Sequence, residues 1–259
     1  MTAAADRADR LRALHVPGTP VILPNAWDAA TARAVVAAGF PAVATASAAM
    51  APALGYDDAE GTPPDEVFAA LARITRAVDV PVTADVERGY RLPPAQIGAR
   101  LAEAGAIGCN LEDSDPATGQ LVPVEDQVAL LAGVRAAAPH LVVNARVDVF
   151  LHGAGSREER IAEAVRRGRA YVEAGADCVY PLIIDRLDPA EVRQLVDGIG
   201  APVNVAFLPG GPSLRELADA GVARVSFGPG LFRLLQGVHE AALAAIAAGD
   251  SPYPGPGAG

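Results

Sequence analysis

The stretch Ala104-Gly-Ala-Ile-Gly-Cys-Asn-Leu-Glu112 decides the fold, because a helix end, a buried strand and an acidic strand terminus follow one another directly. Glycine just past a helix supplies the left-handed cap residue, so a strand can begin at once. The same Ala-Gly step, followed by apolar residues, recurs at Ala38-Gly39, Ala174-Gly175 and Ala220-Gly221. This repetition indicates a chain in which helices and strands alternate.

Short apolar runs between turn residues predict eight strands, near 21–24, 41–47, 80–86, 106–112, 140–146, 177–183, 202–207 and 223–227. The segments between them predict eight helices, near 28–38, 64–78, 94–104, 123–138, 157–173, 188–198, 213–219 and 230–248. Most strand runs are continuously apolar, as expected of parallel strands buried on both faces.

Eight alternating strands and helices predict an α/β fold, a single (β/α)8 TIM barrel over residues 1–250 with a short N-terminal helix. A doubly wound open sheet is the alternative, but it would show a glycine-rich first turn that this chain lacks. The segment 251–259, rich in proline and glycine, is predicted to be a disordered tail.

The composition and net charge of the chain indicate which classes of binding partner are not expected. The chain has 259 residues, 51% of them hydrophobic, and a net charge of -10, which argues against nucleic acid and anionic membranes. Its two cysteines, Cys109 and Cys178, lie inside apolar runs, so no disulfide framework is expected. The N-terminus lacks the apolar segment of a secretory signal, and no apolar run of membrane-spanning length is free of charges or helix breakers. A cytoplasmic protein is therefore expected.

Acidic residues end three of the predicted strands. Asp85 and Glu87 close the third strand, Glu112 closes the fourth, and Arg146 and Asp148 close the fifth. Catalytic groups of such barrels lie at the C-terminal ends of the strands, and alternation along each strand turns these side chains inward. The pattern predicts a site for a hard divalent cation, the class to which Mg2+ and Mn2+ belong, and for an anionic substrate. The alternative is a set of rim salt bridges between Arg146 and the acids.

Further candidates follow other strands. Ser47, at the end of the second strand beside Ala48, could donate hydrogen bonds to a substrate carboxylate, or could be a polar turn residue. Asn144 shares the inward face of Arg146, and Asn144 and Tyr180 are further candidate substrate-binding residues. The acidic loop 55–61 offers Tyr56 and Asp58 as proton carriers, and His152 follows the fifth strand; each could equally be a solvated loop residue.

Four segments together resemble the isocitrate lyase and phosphoenolpyruvate mutase superfamily: residues 24–28, 83–90, 110–113 and 144–148. The resemblance extends from about residue 20 to residue 240. It implies a (β/α)8 barrel whose last helix is exchanged between subunits of a homodimer or homotetramer.

For the site, the resemblance implies Mg2+ near Asp85, Glu87 and Glu112, held largely through waters, with Asp58 near the metal. It also implies that Arg146 holds a substrate carboxylate or phosphonate, with Ser47 and the adjacent Ala48 supplying hydrogen-bond donors.

The chain departs from the superfamily's best-known members in the loop after the fourth strand. The lyase branch carries a Lys-Lys/Arg-Cys-Gly core there, and residues 113–123 contain neither lysine nor cysteine. The mutase branch has a longer loop and a histidine-serine pair at the end of the sixth strand, where this chain has Tyr180-Pro181. Either the proton carrier lies elsewhere, with candidates, in order of preference, Tyr56, Asp58, His152 and Tyr180, or the leaving group needs no acid, as in decarboxylation of oxaloacetate or a phosphonopyruvate reaction.

Three hypotheses remain open. The first is an Mg2+-dependent lyase that cleaves or forms a carbon–carbon bond beside a 2-oxo acid enolate in a small di- or tricarboxylic acid. The second is a phosphonopyruvate or phosphoenolpyruvate mutase, or a phosphonopyruvate hydrolase, acting on a P–C bond. The third is a barrel that binds a metabolite without converting it. The expected ligand in each case is a small anionic 2-oxo or 2-hydroxy acid.

Overall fold

The computed structural model describes residues 3–253. The strands are β1 (Val21–Leu23), β2 (Asn25–Ala26), β3 (Val43–Thr45), β4 (Val82–Asp85), β5 (Gly108–Glu112), β6 (Ser114–Asp115), β7 (Gln120–Leu121), β8 (Val142–Val147), β9 (Cys178–Pro181), β10 (Asn204–Ala206) and β11 (Arg224–Ser226). The helices are α1 (Ala3–Ala13), α2 (Ala29–Ala37), α3 (Ser47–Leu54), α4 (Pro64–Thr75), α5 (Pro94–Ala104), α6 (Val124–Ala137), α7 (Val149–His152), α8 (Arg157–Glu173), α9 (Pro189–Ile199), α10 (Leu214–Asp219) and α11 (Gly230–Ala248).

Parallel strands close into the predicted barrel. One sheet has the order β2-β3-β4-β5-β8-β9 and the other the order β1-β11-β10. Pro24, which has no N–H for the ladder, separates β1 from β2 within the first barrel strand. A bridge between Val179 and Val203 joins β9 to the chain just before β10. The (β/α)8 fold predicted from the apolar runs is therefore confirmed.

The Ala-Gly steps act as predicted. Gly105 caps α5 with a φ of 80°, a left-handed conformation in which an L side chain would be strained. The chain then turns directly into β5, so Glu112 lies at the C-terminal end of the barrel.

The N-terminal end of the barrel is closed by α1. Leu11, fully buried on this helix, belongs to one apolar cluster with Leu23, Ile107 and Val142 at the base of the strands. A ligand therefore has to enter from the opposite end, where the strand-end acids lie.

Four short elements, namely α3, β6, β7 and α7, were not predicted. The second barrel strand ends at Thr45, not at residue 47, and Ser47 begins α3 instead. The segment 47–54 is apolar on all sides, so it shows no helical periodicity. The loop after β5 forms the small antiparallel hairpin of β6 and β7, and α7 follows β8. Elements this short carry no periodic signal.

Helix α11 has no buried residue in the single chain. It exposes Leu234, Leu235, Val238, Leu243 and Ile246. Length and composition alone would allow α11 to cross a membrane, and by themselves those two criteria are weak evidence. Exchange of this helix between subunits stays a prediction. Of the predicted disordered tail, residues 254–259 lie outside the described part of the chain.

Candidate active site

Asp85 ends β4 with one carboxylate oxygen satisfied and the other without a partner. Its Oδ2 accepts hydrogen bonds from the backbone N and the Oγ of Ser47, both at 3.0 Å. Its backbone N donates to Oγ1 of Thr45 at 3.0 Å. Its Oδ1 is buried and has no hydrogen-bond partner. A buried carboxylate oxygen without a donor is costly, so this atom fits a bound cation or water.

Glu87 is held by the two loops that follow β3 and β4. It is 3% exposed, and its backbone lies in the left-handed region with a φ of 50°. Its carboxylate accepts from the backbone N of Glu60 at 2.5 Å and from the hydroxyl of Tyr90 at 3.0 Å. Burial, followed by the negative charges of Asp58 and Asp85, raises the pKa of Glu87 from 4.5 to about 7.

Arg146 lies between two buried carboxylates. Its Nη1 is 2.6 Å from Oε2 of Glu112, and its Nε and Nη2 bind the two oxygens of Asp148 at 2.6 and 3.0 Å. Burial raises the pKa of Glu112 well above its usual value, although Arg146 opposes this effect. Burial also disfavours the charged form of Arg146, but Asp148 and Glu112 outweigh it and raise the pKa of the guanidinium.

Salt bridges to Arg146, the alternative to a metal site, therefore account for only part of the acid cluster. Glu112 and Asp148 are paired with Arg146. In the described part of the chain, neither Asp85 nor Glu87 forms an ion pair with an arginine, so their charge is not neutralised by the protein. This imbalance is what a divalent cation would correct.

Direct coordination by several side chains is not seen. Within residues 3–253, no group of three His, Cys, Asp or Glu side chains is arranged to hold a metal ion. Asp85 is the carboxylate with a free buried oxygen, while Glu87 and Glu112 are engaged with Tyr90 and Arg146. Mg2+ commonly binds one or two carboxylates and keeps several waters, so the residues fit this ion as a largely water-mediated ligand set.

Two of the four candidate proton carriers lie at the acid cluster. Asp58 is on the exposed loop, but loss of water around its carboxyl group and the charge of Asp85 raise its pKa, and Ser47 lies within hydrogen-bonding reach. Tyr180 pairs with Arg146 in the β8–β9 register, and its buried hydroxyl interacts with Ser226.

The other two candidates lie elsewhere. The hydroxyl of Tyr56 donates to Oε1 of Glu66 at 2.6 Å, at the start of α4. His152 is exposed at the end of α7, beside Gly119 of the hairpin, and forms no hydrogen bond to the acids. The structure therefore favours Asp58 and Tyr180 on position alone.

The predicted substrate donors are partly engaged by the protein. Both donors of Ser47 bind Asp85, and the neighbouring Ala48 is half-buried on α3. Asn144 is fully buried; its Nδ2 donates to Oδ1 of Asn110 at 2.8 Å and its Oδ1 has no partner. Asn144 thus lies inside the barrel, below Arg146 on the same strand face.

The sequence analysis missed Arg224, the first residue of β11. This residue is 1% exposed, its Nη2 donates to Oδ1 of Asn110 at 3.3 Å, and its Nε and Nη1 have no partner. Burial lowers the pKa of its guanidinium. In the sequence, Arg224 could have been recognised as a candidate because it is a charged residue inside an otherwise apolar predicted strand.

A pocket of about 540 Å³ lies near the barrel mouth, and its lining does not include Asp85, Glu87, Glu112 or Arg146. It lies between the loops that follow β3 and β4 and the β6–β7 hairpin, and its lining includes Glu60, Arg91 and Asp115. Pockets of a few hundred Å³ accommodate small molecules. The pocket is connected to the acids through Glu60, whose backbone N donates to the carboxylate of Glu87.

Comparison with known proteins agrees with the geometry. A family model described as phosphoenolpyruvate phosphomutase matches residues 11–247. An uncharacterised protein of Mycobacterium tuberculosis is 34% identical over 237 residues, covering 92% of this chain and 88% of the relative. The 2-methylisocitrate lyase of Bacillus subtilis is 28% identical over 205 residues, covering 76% of this chain and 65% of that enzyme.

Solved structures show the same relationship. A candidate phosphonomutase from Burkholderia cenocepacia J2315 superposes with a TM-score of 0.84 at 41% identity, covering 94% of this chain and 99% of that one. Phosphonopyruvate hydrolase in complex with oxalate and Mg2+ superposes with a TM-score of 0.80 at 26% identity, covering 94% of this chain and 88% of that one. With the acids and Arg146 at the barrel mouth, these matches make the chain a member of the isocitrate lyase and phosphoenolpyruvate mutase superfamily, and an enzyme of the lyase or mutase type.

Proposed function

We propose that this enzyme is an Mg2+-dependent lyase that cleaves or forms a carbon–carbon bond beside the 2-oxo group of a small di- or tricarboxylic acid. The observation that carries the proposal is the free, buried Oδ1 of Asp85 within the same charge cluster as Arg146. The side of the site at Asp85 then lacks a positive charge, whereas the other side presents the guanidinium of Arg146. A chelating 2-oxo acid with a bound divalent ion satisfies both.

Arg146 would orient the substrate. Asp148 binds it through two parallel hydrogen bonds, and Glu112 binds Nη1, which leaves further N–H donors free for a substrate carboxylate. A guanidinium held on two sides loses little additional entropy when it binds an anion. The scissile bond is thereby presented in one orientation.

Asp85, Glu87 and Glu112 would hold the Mg2+ ion. When bound, the ion supplies positive charge next to the oxygen that becomes negative as the bond breaks, typically a stabilisation of several kcal/mol.

Asp58 is the best-placed proton carrier. Its raised pKa favours a carboxyl group that can hold a proton and release it, and it lies beside Asp85 on a loop that can reach a substrate. Tyr180, beside Arg146, is the second choice because it is buried. The hairpin loop contains no cysteine that could serve instead.

Cleavage of a P–C bond is the second candidate function. It is supported by the description of the matching family model and by the likeness to a candidate phosphonomutase and to phosphonopyruvate hydrolase. Phosphonopyruvate carries the same 2-oxo acid unit, so the same residues could bind it.

A substrate panel separates the two functions. Purified protein is assayed for pyruvate or 2-oxo acid release from oxaloacetate, 2-alkylmalates and phosphonopyruvate, with Mg2+ and with EDTA. Turnover of a carbon acid that EDTA abolishes supports the lyase. Turnover of phosphonopyruvate alone, or activity that survives EDTA, contradicts it.

The proton-carrier assignment has a matched control on the same loop. Asp58→Asn should lower turnover strongly, whereas Asp57→Asn, at the exposed neighbouring position, should not. Equal effects of both substitutions would remove Asp58 from the mechanism.

For the assembly, we propose a cytoplasmic homodimer or homotetramer in which α11 packs on a second copy. The support is the row of exposed apolar side chains on α11, which finds no partner within the described part of its own chain.

A further inference from the structure

We infer that Asp113, Arg167 and Tyr171 form a buried clamp that positions Arg146 and the β6–β7 hairpin from helix α8. The inference rests on the proposed function for the role of Arg146 as substrate anchor. The three residues are positioning residues, because the contacts described below act on the site through Asp148 and Val122.

Asp113 is the centre of the clamp. Its Oδ2 accepts from the hydroxyl of Tyr171 at 2.7 Å and from Nη1 of Arg167 at 3.0 Å. Its Oδ1 accepts from the backbone N of Asp148 at 2.8 Å. Asp113 and Tyr171 are fully buried, and Arg167 is 7% exposed. Arg167 and Tyr171 lie one turn apart on α8, so one helix face presents both donors.

Because Asp113 holds Asp148, and Asp148 binds Arg146, the clamp also fixes the position of Arg146. The backbone of Asp148 is held by Asp113, and its side chain accepts from Ser114 and binds Arg146 through both oxygens. Helix α8 is therefore connected to the substrate anchor through two carboxylates. Partners that hold a binding side chain in one orientation commonly matter as much as the side chain itself.

The same guanidinium also holds the hairpin loop. Nη1 of Arg167 donates to the backbone O of Val122 at 3.0 Å, and the backbone N of Val122 donates to the backbone O of Asp113 at 2.9 Å. Ser114, at the other end of the hairpin, binds Asp148. Both ends of the segment 114–122 are thus attached to the clamp, and this segment contributes Asp115 and Val122 to the pocket near the barrel mouth.

A role in positioning explains why charges are buried at this place. A buried ion pair is often no more stabilising than apolar residues of the same size. An apolar replacement, however, could not donate to Asp113 and Val122 together, and so could not fix both the loop and Asp148. The clamp thus fixes the hairpin next to the Asp148–Arg146 pair.

The test compares Arg167→Met, Arg167→Lys and Tyr171→Phe with Arg166→Met. Arg166 is the neighbouring arginine on α8, exposed and paired with Glu163, a carboxylate that also accepts from Nε of Arg167. It contacts neither Asp113 nor Val122, so it is the control for loss of an arginine that shares Glu163. The first readout is oxalate binding in the presence of Mg2+ by calorimetry. We expect Arg167→Met to weaken it by about 10-fold or more, Arg167→Lys to recover part of the loss, and Arg166→Met to leave it unchanged.

The second readout is hydrogen exchange in peptides covering residues 113–123, which requires no ligand. Exchange should accelerate in Arg167→Met and Tyr171→Phe and stay unchanged in Arg166→Met. If Arg167→Met does not fold, Tyr171→Phe, which removes a single hydroxyl, decides the question by this readout.

The outcomes separate the clamp from the proposed function. Wild-type affinity for oxalate in a folded Arg167→Met, or unchanged exchange over 113–123 in Tyr171→Phe, overturns the clamp. If the wild-type protein binds no oxalate and converts none of the panel, the proposed function fails; accelerated exchange confined to the two clamp variants would still support the clamp.

Discussion

Replacing Glu87 with glutamine should stabilise the metal-free enzyme at alkaline pH, although Glu87 is a predicted metal ligand. The carboxylate is almost completely buried and accepts from the Glu60 amide and the Tyr90 hydroxyl. Burial and the charges of Asp58 and Asp85 raise its pKa from 4.5 to about 7. A glutamine can accept from the Glu60 amide and donate to the Tyr90 oxygen, so it keeps both contacts without the charge.

The sign and size follow from the two pKa values. Below pH 4.5, Glu87 is protonated in the folded and the unfolded chain, and the wild-type side chain has no electrostatic penalty. As the pH rises towards and above about 7, the unfolded chain ionises freely while the folded chain must bury a carboxylate. The free energy of unfolding then falls by about 3 kcal/mol. Glutamine does not titrate, so the variant avoids this loss.

The assay is urea unfolding, followed by circular dichroism, at pH 8 and pH 5 in EDTA. The Glu87→Gln variant should exceed the wild type by about 3 kcal/mol at the higher pH, and the difference should shrink at the lower. Glu103→Gln, on the exposed face of α5, is the control and should change stability little at either pH. Added Mg2+ should stabilise the wild type more than Glu87→Gln. An equal difference at both pH values, or a less stable variant at pH 8, would show that the buried charge of Glu87 does not lower the stability of the wild type.

Three further outcomes are expected. Asp85→Asn should lower metal-dependent turnover by about 100-fold and leave the melting temperature nearly unchanged; a large loss of stability would instead favour a structural role. Arg146→Gln should lower the free energy of unfolding by about 3–5 kcal/mol in urea at neutral pH, because two buried carboxylates lose their partner; unchanged stability would contradict the ion-paired geometry. Leu235→Glu with Val238→Glu should convert the oligomer to a monomer in sedimentation velocity; an unchanged sedimentation coefficient would count against helix exchange, and wild-type cosedimentation with lipid vesicles would point to a membrane.

The local pattern predicted most of the fold because parallel barrel strands are buried on both faces. Such strands read as uninterrupted apolar runs, and the Ala-Gly steps mark where helices end. The prediction failed where an element was short or apolar on all sides. Helix α3 is the clearest case, since its first residue, Ser47, was assigned to the end of a strand.

Sequence alone is enough to predict the barrel and the position of Asp85, Glu112 and Arg146 at its C-terminal end, whereas Glu87, predicted to close the third strand, lies beyond β4 with a left-handed backbone. Strand order and alternation are sufficient for this, because both depend on local periodicity and on the handedness of the chain. The resemblance of the acidic motifs determined the superfamily, which the comparisons confirmed.

Only the tertiary structure decided which charges are paired. Arg146 binds Glu112 and Asp148, which leaves Oδ1 of Asp85 free, and Asp113 meets Arg167 across more than 50 residues of chain. Such pairings depend on interatomic distances and burial between segments remote in sequence, and a few tenths of an ångström decide whether a hydrogen bond forms. Residue spacing along the chain therefore does not predict these pairings.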